Sequence, residues 1–242
     1  MDDNQYIFGI RAIEEAIAAN QHINKIVARK GLSGDLFAHL QEVCKSKQIR
    51  IQYTTPDVLD RITKSNHQGV IAFISQIKYV NLSDIAHSQN QLLVALDGIT
   101  DVRNFGAIAR SADCAGVQAL IVPSKGSAPI NGESIKTSAG ALNHIPVCQT
   151  NNLFMAIKAL KESGLRVVGA TEHGADDYYN VDFTQPTVII MGSEDKGISK
   201  QLLKLCDANA KIPMTGHIES LNVSVAAGII MFEAVRQRAL IK

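Results

Sequence analysis

The chain has 242 residues, 46% of them hydrophobic and 19% charged, with 24 Lys and Arg against 23 Asp and Glu for a formal net charge of +1. That is the profile of a soluble globular protein with one large domain or two modest ones. Residues 1–75 hold nine basic and eight acidic side chains and residues 76–242 fifteen of each, so no overall positive field exists and a nucleic-acid partner has to be met by a local basic patch. The longest apolar run, Val225 to Phe232, falls far short of the ~18 residues that span a bilayer. The opening Met1-Asp2-Asp3-Asn4-Gln5 is acidic and polar, unlike a signal peptide. Cys44, Cys114, Cys148 and Cys206 lie far apart in no metal-ligand spacing, and are expected as core thiols of a cytoplasmic protein.

In chain order, Ile10 to Ala19 carries apolar residues at helical spacing (Ile10, Ile13, Ala16, Ile17), and Ile23 to Ala28 reads as a strand. Leu36 to Cys44 is a second amphipathic helix and Arg50 to Tyr53 a short strand. Thr55-Pro56-Asp57 starts a third helix, with proline at its first position, and Val70 to Ile74 is a buried strand. These elements make a compact α/β unit over 1–75, too small for a large active-site cleft. Residues 76–90 lack periodicity, are rich in polar side chains, and read as a linker.

A second domain is expected over 91–242. Strands are predicted at Leu92–Leu96, Ala119–Val122, Ile145–Cys148, Arg166–Ala170, Thr187–Met191 and Ala210–Ile212. Helices are predicted at Asn104–Cys114, Asn152–Lys161 and Lys200–Leu205. Such alternation argues a parallel sheet covered on both faces. The last helix, Val223 to about Arg238, is apolar nearly all round in its first three turns, and must be buried on more than one side, as at a subunit interface. No Gly-x-Gly-x-x-Gly opens a helix after a strand and no Walker lysine loop is present, so a dinucleotide-dependent oxidoreductase is disfavoured.

Three segments stand at the C-terminal ends of predicted strands, where open α/β sheets bind ligands. The first runs from Leu96 through Asn104 and Gly106 to Arg110, the second is Val188-Ile189-Ile190-Met191-Gly192-Ser193-Glu194-Asp195-Lys196-Gly197, and the third runs from Ile212-Pro213-Met214 to Ser220-Leu221-Asn222-Val223-Ser224. Taken singly, each has a plain structural reading. Asn104, Ser220 and Asn222 are natural helix caps, Gly106 allows close packing, and Arg110 is a solvated helix residue. His144 and His217 lack partners at metal-ligand spacing and read as ordinary loop histidines, so no metal is expected. Gly132 to Gly140 reads as a surface element, with Lys125 and Lys136 as candidate phosphate contacts.

Taken together, Asn-x-Gly-x-x-x-Arg, Gly-Ser-Glu-x-x-Gly and Ile-Pro-Met-x-Gly-x-x-x-Ser-Leu-Asn-Val-Ser closely resemble the three motifs of the SpoU (TrmH) group of SPOUT methyltransferases. Residues 1–75 resemble the substrate-binding domain, similar to a ribosomal L30e protein, found in front of many members. The length, the opening Tyr6-Ile7-Phe8-Gly9-Ile10-Arg11-Ala12 and the ending Phe232 to Arg238 look most like the branch that methylates a guanosine ribose of 23S ribosomal RNA. The tRNA branch is the alternative, and a non-catalytic RNA-binding protein a more distant one.

The resemblance implies a SPOUT α/β domain with a deep C-terminal trefoil knot, a homodimer with the site near its interface, and S-adenosylmethionine as cofactor. By motif position Gly192, Ile212 and Leu221 would contact the cofactor, with Thr171 a further candidate. Arg110 would be the central catalytic residue, described in the family as the base that activates the 2′-hydroxyl. A guanidinium is practically always charged, so stabilising the developing oxyanion suits it better. Asn104 and Glu194 would position Arg110 and the ribose, and Ser220 and Asn222 would shape the loop by the methyl donor. Asp195 departs from the glycine many members have there, which bears on the turn behind Glu194.

Overall fold

The computed structural model describes residues 6–19, 21, 23–74, 77, 79–85, 91–218 and 220–241. The polar opening 1–5, residues 76, 78 and 86–90 of the expected linker, and Glu219 of the third motif lie outside the described residues. The chain forms two compact units, one comprising Met1–Lys78 and Ile130–Gly132, the other Tyr79–Pro129 and Glu133–Lys242.

The first unit runs β1 (Tyr6–Phe8), α1 (Ile10–Ala18), β2 (Ile23–Arg29), α2 (Asp35–Ser46), β3 (Ile51–Thr54), α3 (Pro56–Ile62) and β4 (Val70–Ile74). Its sheet has the order β1-β4-β2-β3, with β2 and β3 parallel and β4 antiparallel to both of its neighbours. Successive strand residues point to opposite faces. Ile26, Ala28, Val70 and Ala72 therefore pack with Ile13, Ile17, Phe37 and Leu40 of α1 and α2, while Val27 and Ile71 pack with Leu59 of α3. Burial, reinforced by Glu14, pushes the Cys44 thiol up to about 11. β1 escapes sequence reading because three residues carry no measurable period.

The second unit continues with β5 (Tyr79–Val80), α4 (Leu82–Ile85), β6 (Leu92–Asp97), α5 (Val102–Cys114), β7 (Ala119–Pro123), α6 (Gly132–Thr137) and β8 (Val147–Thr150). Then come α7 (Leu153–Glu162), β9 (Arg166–Ala170), β10 (Asp176–Asp177), β11 (Thr187–Gly192), α8 (Lys200–Leu203), β12 (Ala208–Lys211) and α9 (Val223–Ala239). The eight strands lie in the order β10-β12-β9-β11-β6-β7-β8-β5, and all their pairings are parallel. A parallel sheet is covered on both faces, which is why the central strands read as unbroken apolar runs. All six residues of β11 and the first five of β6 are buried.

Three expectations change. Tyr79 and Val80, placed in the linker, pair with Val147 and Cys148 at one sheet edge, a strand too short to register as a pattern. Cys114, expected in a core, is exposed at the last position of α5. The stretch from Gly132 to Gly140 is not a mere surface element, because Ser134 and Ser138 are fully buried where it meets α5.

Gly106 makes that contact possible. A Cβ built on it would stand 2.8 Å from the Ser134 carbonyl oxygen and from Thr137 Cβ. Alanine in a helix is ordinarily favoured over glycine by about 1 kcal/mol, but overpacking costs about 1–3 kcal/mol. Gly106→Ala is therefore expected to lower the thermal midpoint by a few degrees, at roughly 2–4 °C per kcal/mol for a chain of this size. A raised midpoint in a circular dichroism melt would show the α5–α6 contact to be loose.

Candidate functional site

From the middle of the sheet the chain runs outward through β6, β7 and β8 on one side, then crosses to β9 on the other and comes back beside β6 at β11. At their carboxyl ends the loops leaving the neighbouring strands β6 and β11 are bonded to each other, and open space lies beyond β11, at the ends of β9 and β12. Gly98, with φ +76°, turns the chain after β6. Asp101 caps α5, its Oδ1 accepting from the backbone N–H of Arg103 at 2.9 Å and of Asn104 at 2.8 Å. Asn104 is thus not the cap. It sits in the first turn with its side chain released for other work, and an Asp directly before the first helical residue is the signal that could have shown this.

The loop after β11 doubles back on itself. Gly197 donates its N–H to the Ser193 carbonyl at 2.8 Å and has φ +62°, so the turn closes over Gly192. A Cβ on Gly192 would fall 2.1 Å from the Gly197 carbonyl carbon, and no side chain fits there. Asp195 is not in the left-handed region, so the turn accommodates a residue other than glycine at that position. Asp97 ties the two loops together, its Oδ2 accepting from the Ser199 N–H at 2.8 Å.

Glu194 gathers all three motifs. Its Oε1 accepts from Asn104 Nδ2 at 3.1 Å, Asn222 Nδ2 at 2.9 Å and the Val223 N–H at 3.4 Å. Asn222 Nδ2 also donates to Asn104 Oδ1 at 2.9 Å, while Asn222 Oδ1 accepts from the Ser224 N–H at 3.0 Å and so caps α9. One amide thus serves both helix and cluster. A carboxylate at a helix N-terminus is further favoured by the helix dipole.

Beside this cluster lies a cavity of about 360 Å³, walled by the ends of β9, β11 and β12 and the start of α9. Thr171, Gly192, Glu194, Ile212, Ser220 and Leu221 line it; Asn104 and Asn222 do not, and adjoin it through Glu194. Met191, Ile212 and Ile230 give it apolar walls, and Glu172, Glu194 and Asp195 outnumber the basic lining groups His173 and Lys196. Such a cleft suits a partly apolar ligand that carries positive charge.

Arg110 lies apart. Six residues beyond Asn104 on α5, it is about 9 Å further along the axis and roughly two-thirds of a turn around it. It is exposed, does not line the cavity, and makes no hydrogen bond or ion pair among the described residues. Lys125, Lys136, His144 and His217 are exposed as well.

Residues 91–232 match the model of the SpoU rRNA Methylase family, and residues 6–80 match that of RNA 2′-O ribose methyltransferase substrate binding. The chain is 38% identical to the 23S rRNA (guanosine-2′-O-)-methyltransferase RlmB of Vibrio parahaemolyticus, over 99% of each chain. It is 36% identical to a protein of Staphylococcus haemolyticus named as a TrmH family tRNA/rRNA methyltransferase, over 96% of this chain and 95% of the other. The crystal structure of the SpoU methyltransferase AviRb from Streptomyces viridochromogenes, in complex with AdoMet, superposes with a TM-score of 0.64 at 30% identity, covering 98% of this chain and 92% of that one.

The double duty of Asn222 can be separated. Asn222→Ala is expected to destabilise by about 1–3 kcal/mol, through the lost cap and the unsatisfied partners. Asn222→Ser, a good cap without the second donor, should recover about 1 kcal/mol of that. Thermal midpoints of the two variants decide it; equal midpoints would show that the cap contributes nothing.

Proposed function

The chain belongs to the SpoU rRNA methylase family and is an S-adenosylmethionine-dependent RNA 2′-O-methyltransferase, and we propose that its substrate is a guanosine ribose of 23S ribosomal RNA. The observation that carries the substrate reading is the full-length match to the Vibrio enzyme, front domain included. The Staphylococcus relative, named for both tRNA and rRNA, makes tRNA the second reading.

The cavity's residues fit the cofactor. Its apolar walls can take the adenosine, and Glu172, Glu194 and Asp195 face a ligand that carries a sulfonium and an amino group. When bound, the cofactor supplies an electrophilic methyl group on a cationic sulfur. The remaining demand falls on the protein, because a neutral hydroxyl is a poor nucleophile and its oxygen gains negative charge as it attacks. In this reading Glu194, held by Asn104 and Asn222, fixes the loops on either side of the reacting atoms. Ser220 shapes the cavity rim. Arg110, exposed, unpaired among the described residues and outside the cavity, would meet the ribose oxygen or its phosphate from the RNA side as a permanent cation that keeps its own protons, so the proton of the 2′-hydroxyl passes to water.

The same reading takes the chain as a homodimer joined through α9. Val223, Ala227, Ile230, Met231 and Ala234 are buried, yet Val225 and Phe232, seven residues apart on one side, are 50% and 49% exposed. A helix with an unfilled apolar stripe suits burial against a second copy. It also takes the segment after β12 through a trefoil knot, supported by β12 lying next to β9 while α9 returns to pack on α5. No described helix is long and apolar enough to cross a membrane, and a ribosomal substrate would place the enzyme in the cytoplasm.

Purified protein with methyl-labelled S-adenosylmethionine, offered unmodified 23S rRNA or tRNA, tests the substrate. Label is expected on a 23S guanosine ribose, with Arg110→Ala slower by about 10²–10³-fold, the loss typical of one preorganised charge donor. Label on tRNA alone would overturn the substrate reading, and an unimpaired variant the role of Arg110. Phe232→Glu is expected to convert a dimer to a monomer in sedimentation velocity; a wild-type monomer would overturn the dimer.

A further inference from the structure

The first unit carries a cleft of its own. It opens to about 460 Å³ between the end of β1, the first turn of α1 and the turn before β4. Phe8 and Leu36, 36% and 49% exposed, give it two large apolar surfaces, and Arg11, Asn66 and Gln68 edge it. Among the described residues Arg11 is its one charged lining residue, and neither Arg11 nor Asn66 makes a hydrogen bond or ion pair there.

The cleft is built in advance of any ligand. The Phe8 ring is steadied by the Tyr6 ring, 6.4 Å away on the same side of β1, and Tyr6 in turn meets Phe73 edge-on at 6.5 Å. His67 Nδ1 accepts the Gly69 N–H at 3.0 Å, so its Nε2 carries the proton that is donated to Asp60 Oδ1 at 2.9 Å. That pins the turn holding Asn66 and Gln68. Gln68 adopts φ +53°, a left-handed conformation uncommon for its type. Its Oε1 accepts the Ile10 N–H at 3.3 Å, which leaves the Nε2 donors for the cleft.

We infer that this cleft binds one unpaired RNA nucleotide, with the base stacked on Phe8, its edge met by Asn66 and Gln68, and a phosphate held by Arg11. The inference rests on the RNA methyltransferase reading and deepens it, naming where the substrate-binding domain grips its RNA. An exposed aromatic face, free amide groups and one cation are the chemistry that reads splayed-out bases; a paired base could not present its face to Phe8. With balanced charge over the unit, stacking has to supply affinity that a basic surface would otherwise give.

The test uses the full chain and fluorescein-labelled RNAs of about 12 nucleotides, one unpaired and one fully duplex, read by anisotropy across a salt series. Wild type should prefer the unpaired RNA. Phe8→Ala should weaken it by about 5–160-fold, the range for losing one base–aromatic stack, and Phe8→Tyr should restore it. Arg11→Ala, at an exposed position that spares the fold, should flatten the slope of log K against log salt by about 0.7, one phosphate contact on a single strand. Cofactor affinity should be untouched throughout. Equal affinity for duplex and unpaired RNA, or wild-type binding by both alanine variants, would overturn the inference. If wild type methylates RNA and Phe8→Ala keeps its KM, the cleft inference falls alone. If wild type transfers no methyl group while Phe8→Ala still loses the oligonucleotide, the cleft stands and the enzyme reading falls.

Discussion

Every pairing in the eight-stranded sheet is parallel, and most of the second unit follows from that constraint. Parallel strands cannot be joined by tight turns, so the chain crosses over the sheet between them and covers both faces. The central strands become continuous apolar runs, and the segments that follow strand ends emerge on one edge. The segments after β6 and β11 are bonded to each other there, and room for a ligand is left at the ends of β9, β11 and β12. Without a single polar residue having been specified, the sheet already decides where a site can be.

What occupies that edge is held by one carboxylate oxygen. Glu194 Oε1 draws donors from residues 90, 28 and 29 positions away in the chain, so three loops share one reference point. Backbone packing sharpens the arrangement, since the turn after β11 closes onto Gly192 and Asp97 fastens it to α8 through Ser199. Such a network is stiffened because its members bond to one another, and on the proposed reading its order before substrate arrives would reduce the cost of reaching a reactive geometry. The cavity beside it is bordered by Glu194 of this cluster as well as by its apolar walls.

The charge of the molecule belongs to the same economy of placement. A net charge of +1 cannot draw RNA from a distance. On the proposed reading, the exposed Arg11 of the first unit and Arg110 of the second would act only on what already lies against them, and shape, stacking and hydrogen bonding would have to bring the RNA there.

The elements were largely legible in the sequence because period and burial are local properties. The helical spacing of Ile10, Ile13, Ala16 and Ile17 and the run Thr187 to Met191 each announce their surroundings, whereas β1, β5 and β10, at two or three residues, cannot. The motifs marked Asn104, Glu194 and Asn222, but not which atoms would meet; it took the fold to show that Asp101 caps α5 and frees Asn104 for Glu194. The sequence by itself determined residue chemistry, element type and the loops that carry function, since these depend on neighbours within a few positions. Only the tertiary structure decided the Glu194 cluster, the separation of Arg110 from the cavity and the cleft beside Phe8. Each of these depends on distances between segments far apart in the chain, which packing sets and no local pattern records.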